Sequence, residues 1–212
     1  MRVIRAAQRS DSDLVSEVAV CIRSGGTVIF PTETVYGIGC DPDNEQAIRA
    51  VYEAKGRSIH KPLALHVADA AQAEPFIGEL TECARRAMHE LWPGPVALIV
   101  RRHASRYARA ACDLSTISLR CPDHDLCRSL LRGAGPLAAT SANISGSAPF
   151  TGDTDNLDAL PQASLAIFAG PTPLRVESTI VDCTGNAPVI VREGAISSPV
   201  IREKLGTPGR LR

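Results

Sequence analysis

The sequence predicts an α/β protein with a twisted mixed sheet and flanking helices. Short apolar runs of strand length alternate with amphipathic, helix-like runs along the 212 residues. The last two strand-like runs, 178–184 and 188–194, are too close together for a helical crossover, so part of the sheet must be antiparallel. The chain has no GxGxxG, Walker A, HExxH or GxSxG motif, which argues against a plain Rossmann fold and the common phosphate loops.

The individual elements follow from periodicity and from turn residues. A helix is predicted over 44–56, with Asn44 as N-cap and Gly56 at its end. The apolar stripe of this helix consists of Ala47, Ile48, Val51 and Tyr52. Further helices are predicted over 69–76, 81–91, 124–132 and 198–205. The predicted strands are 27–31, 62–67, 95–102, 116–122, the start of 136–143, 165–170, 178–184 and 188–194.

The composition is that of one large globular domain, or of one domain with a modest extension. Hydrophobic residues make up 44% of the chain and charged residues 22%, while aromatic residues make up only 4%. The core must therefore be built mainly from Val, Ile, Leu and Ala. Lys plus Arg equals Asp plus Glu, at 23 each. This balance gives no sign of a nucleic-acid or membrane surface, although it leaves room for a local basic pocket.

The first residues and the cysteines indicate a cytoplasmic protein with reduced thiols. The start of the sequence has no apolar segment of a signal peptide, and no run approaches the ~20 apolar residues of a membrane span. Seven cysteines without a CxxC pair argue against a disulfide framework or a zinc knuckle. Cys121 and Cys127 flank His124, but at a spacing that common zinc sites do not use.

Polar residues cluster where several predicted strands end, which is where open α/β sheets bind ligands. In "PTETVYGIG" (31–39), polar residues follow the first strand directly, and the two glycines are expected to turn the backbone away around Tyr36. Hydroxyl groups and Asn143 at other strand ends suit a small amino acid or phosphate oxygens. Five cations would make a positive pocket for a polyanion such as a nucleoside triphosphate: Lys55, Arg57, Lys61, Arg120 and Arg192.

Several of these residues also have a structural interpretation. Lys55 and Arg57 could complement the dipole at a helix C-terminus. His66 could be a hydrogen-bonded core histidine, and Ser141 and Asn143 could cap a turn.

The arginines in apolar strands are harder to explain without a ligand. Arg120 lies within a buried strand and Arg192 follows "VIV", so each needs a partner or a ligand. Glu33 could be such a partner. Glu33 and Glu177 are the only acidic residues in the polar stretches, and no serine is flanked as a nucleophile elbow. The sequence therefore favours an enzyme that positions its reactants over one with a covalent nucleophile.

Seven motifs in a fixed order closely resemble the YrdC/Sua5 family of threonylcarbamoyl-AMP synthases. They are "PTETVYGIG", "KGR…KPLALHV", "WPGPVALIV", "TISLRCP", "ATSANISG", "VESTIVD" and "VREG", and the match covers about residues 10–205. The resemblance implies the short, single-domain form, with a YrdC-like catalytic domain over 1–206 around a deep, positively charged cavity. It leaves 207–212 as a flexible C-terminal tail.

The resemblance also implies an activity and its residues. The family condenses L-threonine, bicarbonate or CO2 and ATP to threonylcarbamoyl-AMP and pyrophosphate. The product passes to the tRNA threonylcarbamoyl transferase complex, which makes threonylcarbamoyladenosine (t6A). Mg2+ is expected with ATP, no tightly bound cofactor is expected, and weak binding of tRNA or double-stranded RNA is possible. The implied ATP-binding residues are Lys55, Arg57, Lys61, Thr116, Ser141, Asn143 and Arg192. The implied threonine-binding residues are Thr34, His66, Arg120, Ala139 (through its backbone) and Ser178.

Physical chemistry agrees with these roles. An arginine such as Arg120 suits the carboxylate of threonine, and a neutral acceptor such as His66 suits its amine. Cations around the triphosphate lower charge repulsion and stabilise the leaving pyrophosphate, a task that Mg2+ would share. An enclosed site protects the carbamate and the mixed anhydride from water.

Three rival functions share parts of this pattern. The first is a YciO-like paralogue that binds nucleotide or double-stranded RNA without threonine-dependent activity. The KxR signature, Lys55-Gly56-Arg57, and the SxN signature, Ser141-Ala142-Asn143, count against it. The second is a carbamoyl-transfer domain of hydrogenase-maturation proteins, whose additional modules have no room here. The third is a plain double-stranded-RNA-binding module, against which the zero net charge argues.

Overall fold

The protein folds as one mixed sheet with helices on both of its faces, which confirms the predicted fold class. A computed structural model describes residues 1–107, 109–153 and 157–206. In this part of the chain the strands are β1 (Arg2–Arg5), β2 (Val28–Phe30), β3 (Gly37–Cys40), β4 (Ala64–His66), β5 (Ile77–Glu79), β6 (Val96–Arg102), β7 (Thr116–Arg120), β8 (Leu137–Ser141), β9 (Leu165–Phe168), β10 (Thr179–Asp182) and β11 (Val189–Arg192). The predicted tail over 207–212 lies outside the described residues.

Six α-helices and three short 3₁₀ turns complete the described part of the chain. The helices are α1 (Asp11–Arg23), α2 (Glu45–Lys55), α3 (Ala70–Ala73), α4 (Glu82–Leu91), α5 (Asp125–Ala134) and α6 (Ser198–Leu205). The 3₁₀ turns cover Ala6–Gln8, Glu74–Phe76 and Leu157–Ala159. The caps predicted for α2 are confirmed: the Asn44 side chain accepts a hydrogen bond from the amide of Ala47, and Gly56 is left-handed with φ 60°.

The sheet combines parallel and antiparallel pairs. Its strand order is β1-β9-β2-β3-β8-β4-β7-β6-β10-β11, and β5 pairs with β6. The β10–β11 pair is antiparallel, as the short connection between these strands predicts. The β4–β7 pair is parallel and sets His66 opposite Arg120. Neighbouring strands β3, β4 and β8 pair antiparallel, so side chains from distant parts of the chain meet at the middle of the sheet.

Two hydrophobic clusters fill the opposite faces of the sheet. Successive residues of β2 alternate between them, because side chains of a strand point to opposite faces. Val28 and Phe30 pack in the cluster under α1 and α5, whereas Ile29 packs in the cluster under α2 and α4. The sheet is therefore buried on both faces, which explains why its strands read as continuous apolar runs.

The elements β1 and α1 precede the first strand that the sequence pattern predicts. Helix α1 buries Leu14, Val18 and Ile22, which recur every four residues on one face. The Ser10 side chain caps this helix by accepting a hydrogen bond from the amide of Asp13 at 3.2 Å. Both signals are present in the sequence, so this helix could have been predicted.

The expectation for the glycines of "PTETVYGIG" is wrong. The backbone does not turn away there, because Gly37 and Gly39 lie in β3 and pair antiparallel with β2. A Cβ atom at Gly37 would lie 2.9 Å from Cζ of Phe30, and one at Gly39 would lie 3.0 Å from Cβ of Ala139. The glycines are therefore required for close packing across the sheet, and the turn is made by 31–36.

Candidate active site

A cavity of about 440 Å³ opens over the middle of the sheet. Its wall contains residues of β3, β4, β6, β7, β8, β10 and β11, together with the connecting segments 32–36, 57–62 and 177–178. Side chains from strand ends and from loops thus converge on one space, as the polar strand ends predict.

The structure brings most of the predicted site residues to this cavity. Eight of them contribute to its wall: Arg57, Lys61, His66, Arg120, Ala139, Ser141, Ser178 and Arg192. Four are not part of the wall: Thr34, Lys55, Thr116 and Asn143. Three of these four have a clear place directly behind the wall or next to it, as described below.

Cationic side chains outnumber carboxylates in the wall. Arg57, Lys61, Arg120 and Arg192 face one carboxylate, that of Glu177. Burial lowers the pKa of the Arg57 guanidinium, and neighbouring Arg192 adds to this lowering. The cations repel one another in the absence of an anion, so the wall is suited to a polyanionic ligand.

Arg120 is the most buried of these cations, with 5% of its surface exposed. Its Nη2 atom lies 2.8 Å from Oε2 of Glu33 and donates a hydrogen bond of 2.7 Å to Oγ1 of Thr34. The prediction that a buried arginine needs a partner is confirmed, and Glu33 is that partner. Thr34 does not line the cavity, but its hydroxyl contacts two residues that do, Arg120 and Thr32.

His66 lies beside Arg120 and is held neutral. The parallel pairing of β4 and β7 places the two residues in register. Burial lowers the pKa of His66 to about 3, and the charge of Arg120 adds to this effect. The imidazole packs edge-on against Phe30, with 5.8 Å between the ring centroids. A neutral imidazole in the cavity wall can accept a hydrogen bond from an amine.

Lys55 is buried behind the loop that carries the SxN signature. The lysine is 2% exposed, and its Nζ atom donates to the carbonyl oxygens of Ser141 and Asn143, the latter at 2.6 Å. Nζ also lies 3.1 Å from Oδ1 of Asn143. These contacts use all three donors of the ammonium group, so a dipole interaction within α2 does not account for this lysine. Burial lowers the pKa of Lys55 to about 8, with a further contribution from Arg57.

Asn143 fixes the shape of this loop from within. Its Oδ1 atom accepts a hydrogen bond of 2.6 Å from Oγ of Ser141, and its Nδ2 atom donates to the carbonyl of Ser147 at 2.7 Å. The prediction that these residues could cap a turn is therefore confirmed. Ser141 remains in the cavity wall, with its hydroxyl oriented by the asparagine.

The loop after α2 is folded on itself by Arg57. The guanidinium donates from Nε to the carbonyl of Lys61 at 3.3 Å and from Nη2 to that of Pro62 at 3.1 Å. The hydroxyl of Tyr52 donates to the same Lys61 carbonyl at 2.9 Å. These bonds present Lys61 at the edge of the cavity, where it is exposed to solvent.

Arg192 forms the second ion pair of the wall. Its Nη1 atom lies 3.2 Å from Oε2 of Glu177, and both side chains are 40% exposed. Its Nη2 atom donates to the carbonyl of Ser178 at 2.8 Å. Thr116 lies farther out, at the start of β7, on the same strand face as Ser118 and Arg120.

Tyr36 is a wall residue whose importance the sequence pattern did not indicate. It is 1% exposed, its hydroxyl donates to the carbonyl of Gly170 at 2.6 Å and it accepts from the amide of Ala169 at 2.9 Å. Burial raises the pKa of Tyr36 to about 12. The tyrosine thus ties the 31–36 turn to the segment after β9. The partner residues are more than 130 positions away in the chain, and no local signal reveals them.

Neither a metal cluster nor a membrane-spanning helix is found in 1–107, 109–153 and 157–206. Within these residues no group of three or more His, Cys, Asp or Glu side chains could hold a metal ion. In the same residues no helix has the length and apolar character that a membrane crossing requires.

A mixed sheet with flanking helices and a cavity lined by four cationic side chains and one carboxylate defines an α/β protein with a candidate ligand site. The chain belongs to the Sua5/YciO/YrdC family: a family model described as telomere recombination matches residues 20–194. A Mycobacterium tuberculosis protein named putative threonylcarbamoyl-AMP synthase is 36% identical over 91% of this chain and 89% of its own length. A Bacillus subtilis protein named threonylcarbamoyl-AMP synthase is 37% identical over 91% of this chain.

Solved structures agree with this family. Pyrococcus abyssi Sua5 complexed with L-threonine superposes with a TM-score of 0.88 and is 33% identical, covering 97% of this chain and 60% of that chain. Escherichia coli YciO superposes with a TM-score of 0.79 at 24% identity, covering 91% of this chain and 94% of that chain, and so shows the fold alone. The chain spans 56% of the length of the B. subtilis protein and 61% of that of the curated P. abyssi protein.

Proposed function

We propose that the protein is a threonylcarbamoyl-AMP synthase, a transferase of the nucleotidyltransferase class. It condenses L-threonine, bicarbonate or CO2 and ATP to threonylcarbamoyl-AMP and pyrophosphate. The observation that carries the proposal is a single cavity that combines a buried, paired arginine with three further cations. The names of the relatives and the L-threonine complex of P. abyssi Sua5 support it.

Threonine is assigned to the part of the cavity around Arg120. The guanidinium receives the carboxylate through charge-assisted hydrogen bonds. The neutral imidazole of His66 accepts a hydrogen bond from the amine, which must itself be neutral to act as a nucleophile. Three further predicted contacts surround this place: the hydroxyl of Ser178, the backbone of Ala139 and Thr34, which acts through Arg120.

ATP is assigned to the remaining cations of the wall. Arg57, Lys61 and Arg192 supply the positive charge that offsets the triphosphate. Ser141 contributes its hydroxyl, whereas Lys55 and Asn143 shape the loop that presents it. Thr116 marks the outer limit of this region on β7. Mg2+ accompanies ATP as part of the substrate and shares the neutralisation of the phosphates.

The reaction forms a nitrogen–carbon bond first and an oxygen–phosphorus bond second. The threonine nitrogen adds to the carbon of CO2, the π electrons of one C=O bond move onto its oxygen, and the displaced N–H proton passes to water, which leaves a carbamate. A carbamate oxygen then attacks the α-phosphorus in line, while the bond from that phosphorus to the bridging oxygen breaks and pyrophosphate leaves. The protein contributes positioning and charge: Arg120 orients the amino acid, and the cations of the ATP region stabilise the leaving pyrophosphate.

The product is a reactive mixed anhydride, and its consumer must be a group-transfer system. We assign it to the tRNA threonylcarbamoyl transferase complex, which modifies adenosine to t6A. Weak contact with tRNA remains part of the proposal.

The test is pyrophosphate release from ATP in the presence of labelled bicarbonate and L-threonine. Release is expected only when both L-threonine and bicarbonate are present, and the label is expected in a threonine-containing adenylate. Absent or threonine-independent release, together with tight binding of double-stranded RNA, would contradict the proposal and favour the YciO-like alternative. D-Threonine serves as a matched control, since it has the same charges in the wrong configuration.

A further inference from the structure

Glu33 is a buried charged residue that has no role in the proposed reaction. Its side chain is 7% exposed, that of Arg120 is 6% exposed, and 2.8 Å separate its Oε2 atom from Nη2 of the arginine. Arg120 is part of the cavity wall and Glu33 is not. The carboxylate therefore contacts an arginine of the wall without lining the cavity itself.

The partners of Arg120 determine which of its nitrogens is free. Nη2 donates a hydrogen bond to Thr34 and lies within ion-pair distance of Glu33, whereas Nε is buried without a hydrogen-bond partner among the described residues. Nη1 makes no hydrogen bond to the described residues and is not among the buried unpaired atoms. Nη2 is thus engaged by the 31–36 turn, and Nη1 is left without a partner among the described residues.

Hydrogen bonds on both sides of Glu33 fix the backbone of the turn that carries it. The Thr32 hydroxyl accepts a hydrogen bond of 3.2 Å from the amide of Thr34 and donates one of 2.6 Å to the carbonyl of Val35. The carbonyl of Glu33 accepts a hydrogen bond of 2.9 Å from the amide of Leu174. A carboxylate on a fixed turn holds the partner guanidinium in one orientation. A carboxylate on a mobile loop would instead move together with the guanidinium.

Stability alone gives little reason to keep such a pair. Burying two charges costs hydration free energy, and their mutual attraction offsets that cost only roughly. Well-packed apolar side chains in place of a buried ion pair therefore often give a protein that is at least as stable. His66, the register neighbour of Arg120, is neutral and cannot replace the carboxylate. Orientation of the guanidinium is the function that remains for Glu33.

We propose that Glu33 is a positioning residue that holds the Arg120 guanidinium with Nη1 toward the cavity, where it meets the carboxylate of an α-amino acid. The inference rests on the proposed function, in which that amino acid is threonine. It concerns affinity for the amino acid and leaves affinity for ATP unchanged.

The test measures binding of L-threonine to the full chain by calorimetry, with L-threoninamide as a second probe that lacks the carboxylate. Glu33→Gln keeps the size of the side chain and removes its charge. We expect it to weaken threonine binding by about tenfold or more while ATP binding changes less than about twofold. Wild type is expected to prefer threonine over threoninamide, and Glu33→Gln to lose most of that preference.

Two further variants keep the result interpretable. Glu33→Asp retains the charge on a shorter side chain, so it remains informative if Glu33→Gln does not fold; we expect an intermediate loss of threonine affinity. Glu177→Gln removes the other glutamate–arginine pair of the wall and is expected to leave threonine affinity within about twofold of wild type. Unchanged threonine affinity in both Glu33 variants, or an equal loss in Glu177→Gln, would overturn the inference.

A spectroscopic readout separates this inference from the proposed function. In wild type, NMR of the Arg120 guanidinium is expected to show restricted rotation about the Cζ–Nε bond, and in Glu33→Gln faster rotation. If wild type binds no threonine, the proposed function is wrong. The positioning role is then decided by the NMR signal, because equal rotation in wild type and variant overturns it.

Discussion

Two glutamate–arginine pairs stand at the same cavity wall, and water reaches them to very different extents. The Glu33–Arg120 side chains are 7% and 6% exposed, whereas the Glu177–Arg192 side chains are both 40% exposed. Their separations are similar, at 2.8 and 3.2 Å. The difference teaches that the same chemical pair serves different ends: the buried pair is shielded from water and holds its arginine in one orientation, whereas solvent screens the half-exposed pair, which therefore adds little to stability.

The largest effect is expected from breaking the buried pair at Arg120. Arg120→Ala removes the ligand of the threonine carboxylate and leaves Glu33 buried without its partner. We expect a loss of about 3–5 kcal/mol in the free energy of unfolding, as for other broken buried pairs. The threonine KM should rise far more than the ATP KM. Chemical denaturation and pyrophosphate-release kinetics measure the two effects.

Arg192→Ala is the matched control for this prediction. Arg192 is half exposed and is assigned to ATP, so its loss should raise the ATP KM and cost at most about 1 kcal/mol of stability. An equal rise of both KM values in Arg120→Ala would mean that Arg120 is assigned to the wrong substrate.

The next effect concerns the loop that carries the SxN signature, which Lys55 holds from behind. Lys55→Met would leave the carbonyls of Ser141 and Asn143 without their donor, at a cost of about 1–3 kcal/mol per unpaired buried group. The ATP KM should rise, because the loop that presents the Ser141 hydroxyl loosens, while the threonine affinity should change little.

A double-mutant cycle with Asn143→Ala checks how Lys55 acts. If Lys55 works through the loop, the two substitutions share one contact, and their effects on ATP affinity should be clearly less than additive. Additive effects would instead indicate that Lys55 contacts the phosphates directly.

The sequence predicts the arginines of the cavity wall more readily than it predicts which residues pair with them. Arg120 is conspicuous because a cation between Leu119 and Cys121 needs an explanation, and this prompted the correct expectation of a partner. Which arginine Glu33 meets depends on the 31–36 turn lying against β7, a contact between residues far apart in the chain. No local periodicity encodes that contact.

The same limit applies to residues whose role depends on sheet order. Lys55 meets the SxN loop only because the end of α2 lies against the end of β8. Gly37 was misinterpreted for a related reason: a glycine that permits a turn and one that admits the ring of Phe30 look alike in a sequence. The helix α1, by contrast, was readable from its cap and its apolar stripe.

The pH dependence of stability tests whether water is excluded from His66, which lies beside the buried pair. The folded-state pKa of His66 is about 3, below the ordinary value of 6.5, so the unfolded chain binds the extra proton between these values. The stability that neutral His66 contributes is complete above about pH 6.5 and is lost as the pH falls toward 3, by at most about 1.4 kcal/mol per pH unit.

The measurement is the difference in unfolding free energy between wild type and His66→Asn from pH 7 to pH 4. The difference should shrink as the pH falls, because the variant lacks the group that must be kept neutral. His60→Asn is the matched control, because it removes a histidine whose side chain is exposed. A difference for His66→Asn that does not change with pH would show that water reaches this part of the wall.

The smallest effect is expected from Glu177→Gln, which breaks the half-exposed pair. Solvent screens an ion pair with both side chains 40% exposed, so the free energy of unfolding should change by less than about 1 kcal/mol. Arg192 keeps its hydrogen bond to the Ser178 carbonyl and should stay in the wall. Added salt should reduce the difference in unfolding free energy between wild type and Glu177→Gln, because dissolved ions screen the attraction of the exposed wild-type pair. A loss as large as the ~3–5 kcal/mol expected for Arg120→Ala would mean that exposure does not separate the two pairs.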